Sequence, residues 1–229
     1  MPLRKAAART RQAADALRGV ESGEVYVGTP YPAYFRPLSH LMAAFSRRYP
    51  NIHVGLLEGM SSELARRVER READFCIISR RAGDFDWTPL LDDPLVALVA
   101  AEHPLARKGV VSADDLRREP FIMLYPEVET DCSRYLAHNG IETNVRFSCR
   151  DTYAVYQMVE AGLGVTVDNA IFASHYRGSF RALPLDPPQT ISIGVATPRR
   201  SLLSPAAKRF AEMAADFFTS AAAPEGAAR

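Results

Sequence analysis

The residues of this 229-residue chain best equipped for chemistry are its three cysteines and five histidines. Cys76, Cys132 and Cys149 contain no CxxC pair, and an odd count makes no disulfide framework. Cys76 lies within Phe75-Cys76-Ile77-Ile78 and reads as a buried small hydrophobe. A Cys–His nucleophile would need Cys132 or Cys149 beside a histidine, and no spacing marks such a pair. A thiol near a helix N-terminus can have a lowered pKa, so a redox sensor using Cys132 and Cys149 stands as an alternative. His40, His53, His103, His138 and His175 form no HxxxH or HExxH pair, which argues against zinc. Asp92-Asp93 and Asp114-Asp115 are adjacent acids that cannot face each other on a helix or strand, and they read as solvated turn acids. No GxGxxG, P-loop or GxSxG motif occurs, and Gly162-Leu163-Gly164 is no phosphate loop. The residues imply no catalytic constellation, no cofactor and no metal. A binding module, not an enzyme, is the leading class.

What must position any binding residues is an alternation of strands and helices. Val25 and Val27 alternate with Glu24 and Tyr26 in a first strand closed by Gly28, with Pro30 and Pro32 marking a turn. Phe35, Leu38, Leu41/Met42, Phe45 and Tyr49 are spaced as one helical face. Ile52, Val54 and Leu56 give a second strand, Leu64, Ala65 and Val68 a second helix, and residues 74–79 a third, fully buried strand. That order is two βαβ units and predicts a parallel sheet. Short strands are expected at 87–91 and 95–100. Ser112 to Asp115 resembles a capping box before a short helix. A second α/β set follows: strand 121–125, helix 132–139 with Gly140 beyond its end, strand 145–149, a helix capped by Asp151 and ended by Gly162, and strand 165–167. Ile191, Ile193 and Val195 form a late strand, and Ser204-Pro205 opens a last helix buried through Phe210, Met213/Ala214 and Phe217. Residues 3–18 read as a short helix with an apolar seam at Leu3, Ala7, Thr10, Ala14 and Leu17.

Composition narrows the partners. Lys+Arg 28 against Asp+Glu 27 leaves +1, without the basic excess of a dedicated nucleic-acid-binding domain. The longest apolar run, Leu95 to Ala101, is far short of a membrane span. Met1-Pro2-Leu3-Arg4-Lys5 is followed by no apolar stretch, so no secretory signal is read and a reducing cytoplasm is expected.

The ordered motifs carry a resemblance. Gly23-Glu24-Val25-Tyr26-Val27-Gly28, Phe45-Ser46-Arg47-Arg48-Tyr49-Pro50-Asn51-Ile52, Glu58-Gly59-Met60-Ser61-Ser62-Glu63-Leu64, Glu72-Ala73-Asp74-Phe75-Cys76-Ile77, His103-Pro104-Leu105-Ala106, Val159-Glu160-Ala161-Gly162-Leu163-Gly164-Val165 and Leu203-Ser204-Pro205-Ala206-Ala207 occur in this order across residues 20 to 220. The chain resembles the effector-binding domain of LysR-type transcriptional regulators. That resemblance implies an α/β fold like the type 2 periplasmic-binding proteins: two Rossmann-like subdomains joined by two crossover strands. The implied division is 1–22 as the end of a linker helix, 23–97 completed by 195–220 as the first subdomain, 98–194 as the second, and 221–229 as a flexible tail. A small effector, an organic acid by analogy with the aromatic-catabolism branch, would bind between the subdomains. The family's winged helix-turn-helix is not matched here, so promoter DNA would be reached only through that domain, and a homodimer or homotetramer is expected. By position, the resemblance places Thr29, Tyr31, Pro32 and Ala33 at the first helix start, Ser61 at the second, and Ser79 and Arg80 at the end of the third strand. It adds Tyr125 and Pro126 at the end of strand 121–125, and Thr166 within 165–167. Asn169 stands where the family usually has proline. A solute-binding protein of a transporter would share this fold and is the other alternative.

Overall fold

A computed structural model describes residues 22–220. The expected helix over 3–18, its seam, and the tail 221–229 lie outside the described residues.

The first lobe is built as its apolar spacing predicts. Strand β1 (Gly23–Gly28) lies between β2 (Ile52–Leu57) and β3 (Phe75–Ser79), parallel to both. Helix α1 (Pro32–Arg48) starts with proline at its first position, where the missing N–H costs nothing, and ends with Arg47 and Arg48 against the negative end of its dipole. Its buried stripe is Leu38, Leu41 and Phe45, while Phe35 falls off it and is 44% exposed. Helix α2 (Ser61–Glu69) buries Leu64, Ala65 and Val68. All five residues of β3 are buried, because strands flank both edges and both faces are covered: Phe75 and Ile77 pack in one apolar cluster, Cys76 and Ile78 in another with Leu64 and Val68.

The two expected strands at 87–91 and 95–100 are one, β4 (Asp86–Ala100). Its first part pairs antiparallel with β10 (Thr190–Thr197) from Asp86↔Thr197 to Pro94↔Thr190. The pairing skips Leu90 between Pro89↔Gly194 and Leu91↔Ile193, which places the proline at an irregularity in the ladder. Its second part pairs with β8 (Thr166–Asn169) and β9 (Phe180–Asp186). The resulting order is β2-β1-β3-β10-β4-β9-β5, with β5 (Val111–Ser112) at the far edge. The parallel expectation thus holds for β2-β1-β3, and β10 and β4 run antiparallel across it. β4 and β10 are the chain crossings that tie the lobes together.

The second lobe follows through α3 (Ala113–Arg118), β6 (Pro120–Leu124), α4 (Asp131–His138), β7 (Asn144–Cys149), α5 (Thr152–Glu160) and the one-turn α6 (Ala170–Ala173). Its caps are those the residue types announce. Ser112 Oγ accepts from Asp115 N–H at 3.2 Å while Asp115 accepts from Ser112 N–H at 2.9 Å, and Asp151 accepts from Ala154 N–H at 2.7 Å. Asp115 is accordingly buried and not a solvated turn acid; burial works against its charge, but Lys108 and Ser112 outweigh that and hold its pKa down to about 2. Gly162 takes φ +75° to leave α5, and a side chain at Gly164 would run into the Pro120 carbonyl. That close approach lets Val165 N–H reach Pro120 O and Ile122 N–H reach Val165 O, both at 2.9 Å, laying Val165 beside β6.

Helix α7 (Pro205–Ser220), capped by Ser204 Oγ on Ala207 N–H at 3.1 Å, returns to the first lobe. Phe210 is fully buried there, 5.1 Å from the Phe45 ring and 5.5 Å from Phe75. One apolar cluster runs from Val25, Phe45 and Phe210 through Tyr31 to Phe172, Ile122 and Tyr156, so the two lobes share a core beside the cleft between them.

Candidate functional site

Between the lobes, the C-terminal ends of β1, β3 and β8 meet the N-termini of α2 and α4. Such ends carry unpaired N–H groups and suit polar ligands. They enclose a cavity of about 20 Å³, room for one water, lined among others by Tyr31, Ser61, Arg81, Asp131, Asp168 and Asn169.

From the first lobe, Thr29 Oγ1 accepts from Tyr31 N–H at 3.2 Å and folds the turn that buries the Tyr31 ring. The Tyr31 hydroxyl lies 3.5 Å from both Ser61 Oγ and Asp131 Oδ2. Burial, then the charge of Asp131, pushes its pKa far above the ordinary phenol value. Ser61 is the first residue of α2 and not its cap; Glu63 instead accepts from Met60 N–H at 2.9 Å. Ser61 Oγ is therefore available to accept from Ser79 N–H at 3.1 Å. Ser79 Oγ donates to Asp131 Oδ1 at 3.0 Å and accepts from Arg81 Nη1 at 2.7 Å.

Asp131 comes from the second lobe. Tyr125, at φ +50°, turns the chain out of β6, and its N–H bonds Cys149 O at 2.9 Å. The loop then enters α4 through a reciprocal cap, Thr130 Oγ1 on Ser133 N–H at 3.1 Å and Ser133 Oγ on Thr130 N–H at 2.9 Å. That fixes Asp131 on the first turn, where the helix dipole favours a carboxylate. Its Oδ1 is 3.0 Å from Arg81 Nη2, and Glu129 Oε1 is 3.4 Å from Arg81 Nε. Neither contact is aligned as a hydrogen bond, so this edge of the guanidinium, its side chain only 7% exposed, is held by ion pairs alone.

Two further carboxylates stand behind. Asp168 accepts from Tyr156 O–H at 3.1 Å and from Asn169 N–H at 2.8 Å. Burial lifts its pKa to about 7, with the charges of Asp131 and Asp93 adding to the effect. Asp93, read from sequence as a solvated acid, is buried and accepts from Ile171 N–H at 3.1 Å; burial lifts it to about 6. Asn169 Nδ2 is buried and makes no aligned hydrogen bond, although its side chain lies close enough to Asp93 to favour that carboxylate's charge.

Of the residues expected from position, Tyr31 and Ser61 line the cavity and Ser79 joins its network. Thr29 shapes the turn. Pro32 and Ala33 open α1 half-buried without lining the cavity. Arg80 is exposed, and its carbonyl accepts from Arg81 Nη1 and Arg134 Nη1. Tyr125 is half-buried under the Arg150 guanidinium, 5.5 Å from its ring centre, and Pro126 is exposed. Thr166 donates to Ile122 O at 2.8 Å and braces the sheet. Arg81, Asp131, Asp168 and Phe172 were not anticipated. Arg81 had a usable signal: side chains alternate in extended chain, so a cleft-facing Ser79 brings Arg81, not Arg80, to the same side. Thiol chemistry finds no support here. Cys76 and Cys132 are buried, and burial pushes both thiols well above their ordinary range. Among the described residues no cluster of His, Cys, Asp and Glu could hold a metal ion, and no helix is long and apolar enough to cross a membrane.

Comparison with known proteins places this geometry. Residues 18–219 match the family model described as the LysR substrate binding domain. The chain is 27% identical over 219 residues to the HTH-type transcriptional regulator YvbU of Bacillus subtilis, covering 92% of this chain and 73% of that protein. It is 27% identical over 205 residues to the transcriptional dual regulator GltC of the same organism, covering 86% and 68%. Among solved structures, the Synechocystis CcmR regulatory domain in complex with 2-PG aligns with TM-score 0.71 at 22% identity, over 88% of this chain and 98% of that one. The effector-binding domain of QuiR in complex with shikimate aligns with TM-score 0.68 at 18% identity, over 87% and 98%. These likenesses establish the type 2 periplasmic-binding-protein-like fold.

Proposed function

The chain belongs to the LysR substrate-binding-domain family, and from that premise we propose that it senses a small carboxylate-bearing metabolite held between its lobes. The observation that carries this reading is the Arg81 edge. A buried guanidinium whose Nε and Nη2 touch Glu129 and Asp131 only in poorly aligned ion pairs can exchange them for the two oxygens of one ligand carboxylate, bound bidentately. Ser61 and the start of α2 add a hydroxyl and a positive helix end on the same wall. Binding moves the lobes relative to each other, because Asp131 and Arg81 sit on opposite sides of the cleft. In the parent regulator that motion passes to promoter DNA through a DNA-binding domain of the helix-turn-helix type for which YvbU is named, in a cytoplasmic homodimer or homotetramer. The relatives are transcriptional regulators and not enzymes, and the same likeness favours regulation over solute transport.

The test is a thermal-shift screen of small organic acids at pH 7, followed by calorimetric titration of the hits. A ligand at 100 times its Kd should add about 2.7 kcal/mol of stability. Arg81→Lys keeps the charge and loses the fork. It should weaken the hit at least about 10-fold, the value of one charge-assisted hydrogen bond. Undiminished affinity in Arg81→Lys would remove the site from this cleft wall.

A further inference from the structure

The charges in the cleft say more about the effector than that it has a carboxylate. Asp131 and Asp168 line the cavity together with the Arg81 guanidinium, which Asp131 contacts, and a third carboxylate, Asp93, is buried nearby. The Arg81–Asp131 contact crosses the cleft, from the end of β3 to the start of α4. A cavity of about 20 Å³ admits no organic molecule, so an effector enters only by parting the lobes and splitting that pair. A plain acid would satisfy Arg81 and leave Asp131 with only the exposed Arg134, 3.8 Å away, as its cation, near two more carboxylates. Breaking a buried pair from one side is strongly unfavourable.

Resting on the cleft reading above, we propose that the effector is a zwitterion, an amino acid or close relative, which inserts between Arg81 and Asp131 with its carboxylate on the guanidinium and its ammonium on the carboxylate. The unfilled bonding capacity has both signs. Arg81 Nε, Arg81 Nη2 and Asn169 Nδ2 are buried donors without an aligned hydrogen bond, the first two held only in ion pairs with Glu129 and Asp131. On the acceptor side, Asp131 Oδ2 has only a long 3.5 Å contact from the Tyr31 hydroxyl. Burial is the main cause of the raised pKa values of Asp93 and Asp168, and the charge of Asp131 adds a smaller push to both. Tyr31 and Phe172, ring centres 5.2 Å apart, both line the cavity and offer aromatic faces that attract an ammonium. A zwitterion leaves the net charge of the closed cleft unchanged, whereas a simple acid deepens its excess.

The experiment uses three probe sets on matched carbon skeletons: proteinogenic and short ω-amino acids, their desamino acids, and their decarboxylated amines. Each is titrated into the full chain. At least one amino acid should bind at least 10-fold more tightly than both its desamino acid and its amine. Asp131→Asn, which retains an acceptor for the Ser79 hydroxyl, should weaken that amino acid at least 10-fold and leave or improve binding of the desamino acid. Desamino acids binding as well as amino acids would overturn the zwitterion and leave the carboxylate cleft standing. Amines binding alone, indifferent to Arg81→Lys, would overturn both, as would silence from all three sets.

Discussion

Asp168→Asn isolates the cost of charge in the cleft. In the folded chain Asp168 keeps its proton to about pH 7, against an ordinary value of 3.8. Between those values the folded state holds a proton that the unfolded state has lost, so stability falls as pH rises, by up to about 1.36 kcal/mol per pH unit. The contribution is complete below pH 3.8 and gone above about pH 7. Above pH 7 the ionised, buried carboxylate therefore costs on the order of 4 kcal/mol. Asparagine has the same shape and can still meet the Tyr156 hydroxyl and the Asn169 N–H without ever carrying charge. At pH 8 the variant should be the more stable protein, by up to roughly 10 °C in Tm for a chain of this size. At pH 5, where the parent carboxyl is protonated, the two should melt within a few degrees of each other. Melting curves across pH 5 to 8, without effector, give the difference directly. A difference that stays constant with pH would show that Asp168 is ionised throughout and refute the argument.

Other consequences follow from the same contacts. Ser61→Ala strands the buried Ser79 N–H, which should cost about 1–3 kcal/mol, and should weaken the effector roughly 5- to 100-fold; a lowered Tm with unchanged affinity would reduce Ser61 to a brace. Under native conditions a thiol reagent should label Cys149, which is half-buried, and spare Cys76 and Cys132 until the chain unfolds; rapid modification of Cys132 would revive the redox reading. Sedimentation should show a homodimer, which would cover apolar residues left open on α1, β2 and β7: Phe35, Leu56, Val145 and Phe147, between 38% and 51% exposed. A monomer at high micromolar concentration would count against it. This chain alone should give no sequence-specific gel shift with promoter DNA at moderate salt, since +1 of net charge supports only weak attraction.

Much of the fold was legible because apolar spacing encodes it. Leu38, Leu41 and Phe45 announce α1, and Phe75 to Ile78 announce a strand buried on both faces. Ser112, Asp151 and Ser204 each cap the helix their residue type predicts. The union of 87–91 and 95–100 into β4 was not legible. Asp92, Asp93 and Pro94 look like a break, and only the ladder with β10 holds the strand through them. β9 was missed because Arg181, Ala182 and Pro184 dilute its alternation, and α6 because four residues carry no helical period. The site was half legible. Position along the chain led to Tyr31, Ser61 and Ser79. Asp131 and Asp168 look like ordinary helix-start and loop acids until the second lobe turns them inward, and Asp93 is buried by the one-turn helix whose Ile171 N–H it accepts. Burial of a charge is a tertiary fact, set by which lobe closes over it.

The most direct measurement is a crystal structure of the chain with the effector that the screens identify. The effector carboxylate should lie about 3 Å from both Nε and Nη2 of Arg81, with contacts to both lobes and the Arg81–Asp131 pair opened around it. A ligand seated outside the cleft, or one inside it whose carboxylate faces away while Arg81 still holds Asp131, would contradict the account.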